Sequence, residues 1–356
     1  MSQALAHPGV RAALAAAALF GLAAPLGKLL LGAADPLMLA GLLYLGSGLG
    51  LALWRRATRQ PAVVLPRADL PWLAGAILSG GVVGPALLMF ALARLAAGEA
   101  ALLLNAEAVF TALIAWVAFR ENVDLRVGLG FLAIAAGAVL LATGGSLQIA
   151  DPLPALLALG ACLAWGIDNN LTRRVSLADA SWIASVKGLV AGAVNAGLAL
   201  ALGAALPAPG PLAGALVLGF LAYGVSLSLF VVGLRELGAA RAGAYFAVAP
   251  FFGAALAVAL GDPLTPILLA SGALMALGVW LHLTERHDHP HAHPALEHAH
   301  WHRHDAHHQH PHDPPVPVGT WHRHAHRHDP MTHSHAHYPD AHHRHIHRHV
   351  HREVQP

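Results

Sequence analysis

Charge is what this sequence has least of. Only 11% of its 356 residues are Asp, Glu, Lys or Arg, against about 25% in a soluble globular protein. That is too little to cover a water-facing surface. Histidine is absent from the whole body between His7 and His282, which excludes a histidine-based triad or metal site there. One cysteine, Cys162, excludes an intramolecular disulfide. No P-loop and no assembled Ser, His and Asp occur, so neither nucleotide-driven transport nor an enzyme activity is expected. No cofactor is required, and no nucleic-acid partner is expected.

What is present is a series of long apolar runs broken by isolated charges. A hydrocarbon core of ~30 Å takes ~20 apolar helical residues, and only a helix satisfies its own backbone there without closing a barrel. Turn-like joints, "DP" at 35–36, 151–152 and 262–263, "RRATRQP" at 55–61 and "PAPGP" at 207–211, divide the body. The expected spans are 11–31, 36–54, 70–93, 98–119, 126–144, 153–172, 180–203, 212–234, 239–260 and 264–284. The first run resembles a signal peptide at its start but stays apolar to Leu31, and is read as a span. Twelve arginines fall on segments of one side and Arg94 alone on the other. The positive-inside rule then places the N-terminus, and after ten spans the C-terminus, in the cytoplasm of a cell's inner (plasma) membrane.

The two halves echo each other. A shift of 141 takes Arg94 to Arg235, Phe110 to Phe251, Glu121 to Asp262 and Gly137 to Gly278. Five spans per copy is odd, so the copies insert with opposite orientation, an architecture of transporters. The run "RLAAGEAALLLNAEAVFTALIAW" at 94–116 leads to "FRE" at 119–121, and "APFFGAALAVALGD" at 249–262 answers it. These stretches resemble the EamA branch of the drug/metabolite transporter superfamily. The resemblance implies an all-α polytopic membrane protein of ten helices in two inverted five-helix repeats, 11–144 and 153–284. It implies secondary transport of a small organic solute. Ala108 stands where that family often has proline after Glu107, and Arg120 where it usually has glycine.

Ionisable groups at mid-bilayer mark sites, because each costs several kcal/mol unless it meets a cavity or a partner. Glu107, near the middle of the fourth span with Thr111 one turn on, is the first candidate, as proton acceptor or substrate contact. The alternative is a fixed interhelical hydrogen bond. Asn105 lies about 200° around the helix from Glu107, and is read as packing glue. In "AWGIDNNLTRR", Trp165, Asp168, Asn169 and Thr172 share one helical face. Asp168 is either a site residue or a helix-end group wetted from the cytoplasm. Lys187 is expected at similar depth, so the two can pair as an inner gate or a structural clasp. Lys28 is expected to snorkel to the outer interface. Tyr245 follows Arg241 on one stripe of the ninth span and completes the candidate substrate and proton pathway.

From 285 to 356 the composition changes to proline- and histidine-rich, with no periodic core, which predicts a disordered tail. Alternating imidazoles can chelate Zn, Ni, Co or Cu: His322, His324, His326, His328, His333, His335, His337, His345, His347, His349 and His351. Two functions compete. In one, the body moves an organic metabolite or drug-like solute, coupled to protons, while the tail binds metal. In the other, the body carries Ni, Co or Zn and the tail collects or senses the ion. A body without histidine and with one cysteine favours the first; a non-transporting membrane sensor ranks third. The partners implied are the lipid bilayer, a small-molecule substrate and divalent metal at the tail.

Overall fold

The structure, a computed structural model, describes residues 7–119, 125–143, 151–283, 288–293, 296–302, 322–328 and 331–336. The chain divides into two units, Met1–Glu285 and Arg286–Pro356.

The first unit is all-helical over its described residues. Its helices are α1 Pro8–Phe20, α2 Ala23–Leu30, α3 Pro36–Ala57, α4 Leu70–Ala76, α5 Gly84–Leu92, α6 Ala97–Leu103, α7 Ala106–Phe119 and α8 Leu125–Thr143. They continue with α9 Leu153–Val175, α10 Ala180–Ala201, α11 Pro209–Leu218, α12 Ser226–Phe246, α13 Ala249–Ala259 and α14 Pro266–Leu283. Among the described residues seven stretches are long and apolar enough to cross a bilayer: Pro8–Leu30, Pro36–Ala57, Arg67–Leu92, Ala97–Ala118, Ala180–Ala201, Pro209–Ala239 and Arg241–Ala259. Gly128–Leu141 and Pro266–Leu281 are apolar but shorter. α9 has the length, but Asp168, Arg173 and Arg174 dilute its hydropathy.

Local chemistry explains the helix ends. Asp35 caps α3 by accepting from the amides of Leu37 and Met38 at 2.9 and 3.2 Å. Pro36 opens that helix and Arg55 and Arg56 close it, complementing its dipole. Lys28 is half-buried. Its ammonium donates to the carbonyls of Leu92 and Leu95 at 2.7 and 2.8 Å, closing the end of α5. α12 turns at Gly238, whose φ of 77° is open to glycine.

Five long stretches are interrupted along their lengths. The first breaks between Phe20 and Ala23, because Pro25 has no N–H to offer the Gly21 carbonyl. A side chain at Gly21 would lie 2.8 Å from Phe252 Cβ, so the break also allows close crossing of α13. Between α4 and α5, Ile77–Val83 winds as a π-helix, and Gly219–Val225 does the same between α11 and α12. The α6–α7 and α12–α13 joints lie at 104–105 and 247–248.

In the second unit the described residues are four short strands. β1 Asp288–His293 pairs antiparallel with β4 Met331–Ala336, and β2 Leu296–His302 with β3 His322–His328. The physical reason is the alternation of histidine with other residues, which has the period of a strand. His337, His345, His347, His349 and His351 lie outside the described residues.

Candidate transport site

The interruption at Ile77–Val83 creates acceptors that the helix itself cannot use. Pro85 has no N–H, so the carbonyls of Gly80 and Gly81 are left to other partners. Tyr44 Oη and Trp165 Nε1 donate to the Gly80 carbonyl at 2.7 and 2.9 Å. Asn195 Nδ2 donates to the Gly81 and Val82 carbonyls at 3.3 and 3.2 Å. Trp165, expected in the pathway, is therefore committed through its indole N–H to holding the π segment.

α9 packs against α7 and reaches α10 through side-chain hydrogen bonds. Gly166 permits its approach to α7, where an added Cβ would lie 2.9 Å from Phe110 Cβ and 3.0 Å from the Thr111 amide. Toward α7, Asn169 Nδ2 donates to Glu107 Oε1 at 2.9 Å and to Thr111 Oγ1 at 3.1 Å. Asn170 Nδ2 donates to the Thr111 carbonyl at 2.9 Å and the Gly166 carbonyl at 2.8 Å. Toward α10, Lys187 Nζ donates to Asp168 Oδ1 at 2.5 Å and to Thr172 Oγ1 at 3.0 Å, and Thr172 donates to Asp168 at 2.7 Å.

Lys187 is 0% exposed and Asp168 4%. The wetted helix-end reading of Asp168 is thereby corrected: its partner lies on α10, and the pair is dry. The expected meeting of Asp168 and Lys187 is met by the geometry, and Glu107, Thr111 and Asn169 form a second connected group. Asn105 stays apart, donating to the Leu102 carbonyl at 3.0 Å and to Met275 Sδ at 3.5 Å. Tyr245 is half-buried, and its neighbour Phe246 lines the same pocket as Glu107.

Glu107 lines a narrow pocket together with Phe20, Leu104, Ala108, Gly243, Phe246, Ala247, Ala249 and Pro250. Both the α6–α7 joint and the α12–α13 joint thus open onto one pocket. Its walls continue into an aromatic cluster. The Phe20 ring meets Trp165, Tyr223 and Phe246 at centroid distances of 5.7, 5.6 and 5.2 Å, and Phe230 meets Phe246 at 4.6 Å. Asn170, Tyr44, Asn195, Phe20, Phe246 and Tyr223 were not legible as site residues. Only the glycines and Pro85 of the third span gave a signal, that carbonyls there would need donors. Among the described residues no group of three His, Cys, Asp or Glu could hold a metal ion.

A model of the EamA-like transporter family matches the chain twice, over residues 7–143 and 152–284. An uncharacterized transporter of Methanothermobacter thermautotrophicus (strain Delta H) is 30% identical over 281 residues, which cover 74% of this chain and 82% of that protein. A solved crystal structure matches 77% of this chain and 94% of its own at a TM-score of 0.62 and 19% identity. That last likeness concerns the fold alone.

Proposed function

This chain belongs to the EamA-like transporter family and is an integral membrane transporter, and from that premise we propose that it is a proton-coupled secondary transporter of a small organic solute. Ten spans in two inverted five-helix copies carry the solute past Glu107. The successive family matches support the two copies, as do paired features such as the π segments at 77–83 and 219–225.

The observation that carries the reading is the state of Glu107. It is buried, and Asn169 occupies only Oε1. Among the described residues no cation reaches Oε2, since the buried ammonium of Lys187 is held by Asp168 and Thr172. A carboxylate in a low-dielectric pocket requires a counter-charge. A proton or a charged solute supplies it in turn, and such exchange at one group couples the two fluxes. Asp168, Cys162 and Tyr44 are the titratable groups that feel its charge. Asp168, Asn169, Lys187, Thr111 and Trp165 hold the site in register, and Asn105 and Tyr245 flank it.

The tail is proposed to bind divalent metal (Zn, Ni, Co or Cu) on the cytoplasmic side. The strand register supports this by setting His298, His300 and His302 opposite His326, His324 and His322.

The test is reconstitution of the full chain in liposomes containing a pH dye. A panel of small amines, amino acids, sugars and Ni²⁺ is added under an imposed proton gradient. Wild type is expected to move protons with one organic class, and Glu107→Gln to lose at least tenfold of that coupled flux. Equal fluxes in both proteins under every gradient sink the reading.

A further inference from the structure

Resting on that reading of the Glu107 pocket, we infer that its substrate is an organic cation: a small amine or quaternary ammonium carrying an apolar group. The argument is one of charge balance and wall chemistry. The acids and bases buried among the described residues of the body are Glu107, Asp168 and Lys187. Two carboxylates against one ammonium leave one carboxylate over, and the hydrogen bonds name it. Lys187 is spent on Asp168 and Thr172. Glu107 has only the amide N–H of Asn169.

Helix ends do not change this balance. The pocket takes the C-cap residues Leu104 and Ala247 of α6 and α12, and also first-turn residues of α7 and α13. Their partial charges are of opposite sign, so the Glu107 carboxylate sets the sign of the field. An anionic solute finds no free buried cation there.

The walls decide what kind of cation fits. Phe20 and Phe246 line the pocket directly, and Trp165, Tyr223 and Phe230 pack behind them. Ring faces attract large, weakly hydrated ammonium groups. They offer nothing to a metal ion that must exchange water for oxygen, nitrogen or sulfur ligands. The pocket is narrow as it stands, so a solute must be small and its entry must part the walls.

The experiment uses the full chain in detergent and two probes of one shape, benzyltrimethylammonium and its uncharged carbon isostere neopentylbenzene. Binding is read by tryptophan fluorescence, since Trp165 meets the pocket-lining Phe20 edge to face. The cation is expected to bind at least tenfold more tightly than the isostere. Glu107→Gln and Phe246→Leu should each weaken the cation at least tenfold and leave the isostere within twofold. Glu107→Asp, which keeps the charge, guards against a folding defect by retaining most of the preference. Equal affinity for the two probes overturns the inference, as does cation binding that survives Glu107→Gln. If protons still exchange through Glu107 with neutral or anionic solutes in the liposome assay, the transporter reading stands and the cation assignment alone falls.

Discussion

At the scale of the residue, the Asp168–Lys187 pair decides between a moving gate and a fixed clasp. A buried ion pair is weak evidence for stability, yet removing one member leaves a bare charge in the dry interior. Lys187→Met is expected to destabilise the protein by about 3–5 kcal/mol. Asp168→Leu combined with Lys187→Met should recover most of that loss, because an apolar pair of similar volume has no charge to desolvate. Cys162, the one cysteine, is buried, so a thiol-reactive dye reports unfolding in each variant. A double variant that is stable but inactive marks the pair as part of the transport cycle; one that is stable and active marks it as a clasp. Sequence spacing brings these two residues to one depth because they stand at matching distances from the turn between two consecutive helices. It left open which neighbour each residue of α9 would face. Asp168 and Asn169 stand about 100° apart on the helix, so one meets Lys187 of α10 and the other Glu107 of α7.

At the scale of the element, two features set how α3 and α10 hold together. The first is a crossing of small residues. Side chains added at Gly41, Gly48 or Gly188 would collide with the facing backbone, and one at Gly192 would come within 2.5 Å of the Leu45 amide. Such close approach drives helix association in membranes. Gly188→Val is expected to abolish the monodisperse peak in size-exclusion chromatography. Gly197→Ala, where nothing lies within 4 Å, should be neutral or stabilise by about 0.5–1 kcal/mol. The second feature is the cap at Asp179. Burial raises its pKa, but the Ser181 hydroxyl, the Trp182 amide and the Arg55 guanidinium outweigh that and hold it below its ordinary 3.8. The folded value is depressed, so the cap's stability is complete above pH 3.8 and is lost as pH falls below it. Asp179→Ala should cost about 1 kcal/mol from pH 5 to 8, and the difference from wild type should shrink below pH 4. A cost that grows on acidification contradicts this assignment. Of the interruptions, the one beside Pro25 and the one before Pro85 are readable from proline. The α6–α7 joint is not, since Ala108 stands where a proline would announce it. There Asn105 turns its amide back onto the Leu102 carbonyl, competing with the backbone as short polar side chains do.

At the scale of the whole molecule, an apolar body is joined to a segment of different material. The body's class is legible because hydropathy and scarcity of charge leave a chain little choice in lipid. The pocket is not, because it depends on which faces of several helices converge, and one sequence gives no distances between helices. In the tail, composition argues for disorder, whereas alternation argues for strands, and the structure pairs four of them. Alternation also bears on function. Residues two apart lie on one side of a strand, so β2 and β3 set three histidine positions against three, whichever metal they meet. Nothing in the body supplies a comparable set, so the two activities should separate. Deleting residues 287–356 is expected to remove high-affinity Ni²⁺ binding measured by calorimetry and to leave Glu107-dependent proton exchange in liposomes within twofold of wild type. In the full chain the Ni²⁺ affinity should fall as pH drops through about 6.5, where imidazoles protonate and cease to be ligands. If the deletion removes transport as well, the metal-binding segment is part of the carrier. The alternative that the body itself carries Ni, Co or Zn would then gain its first support.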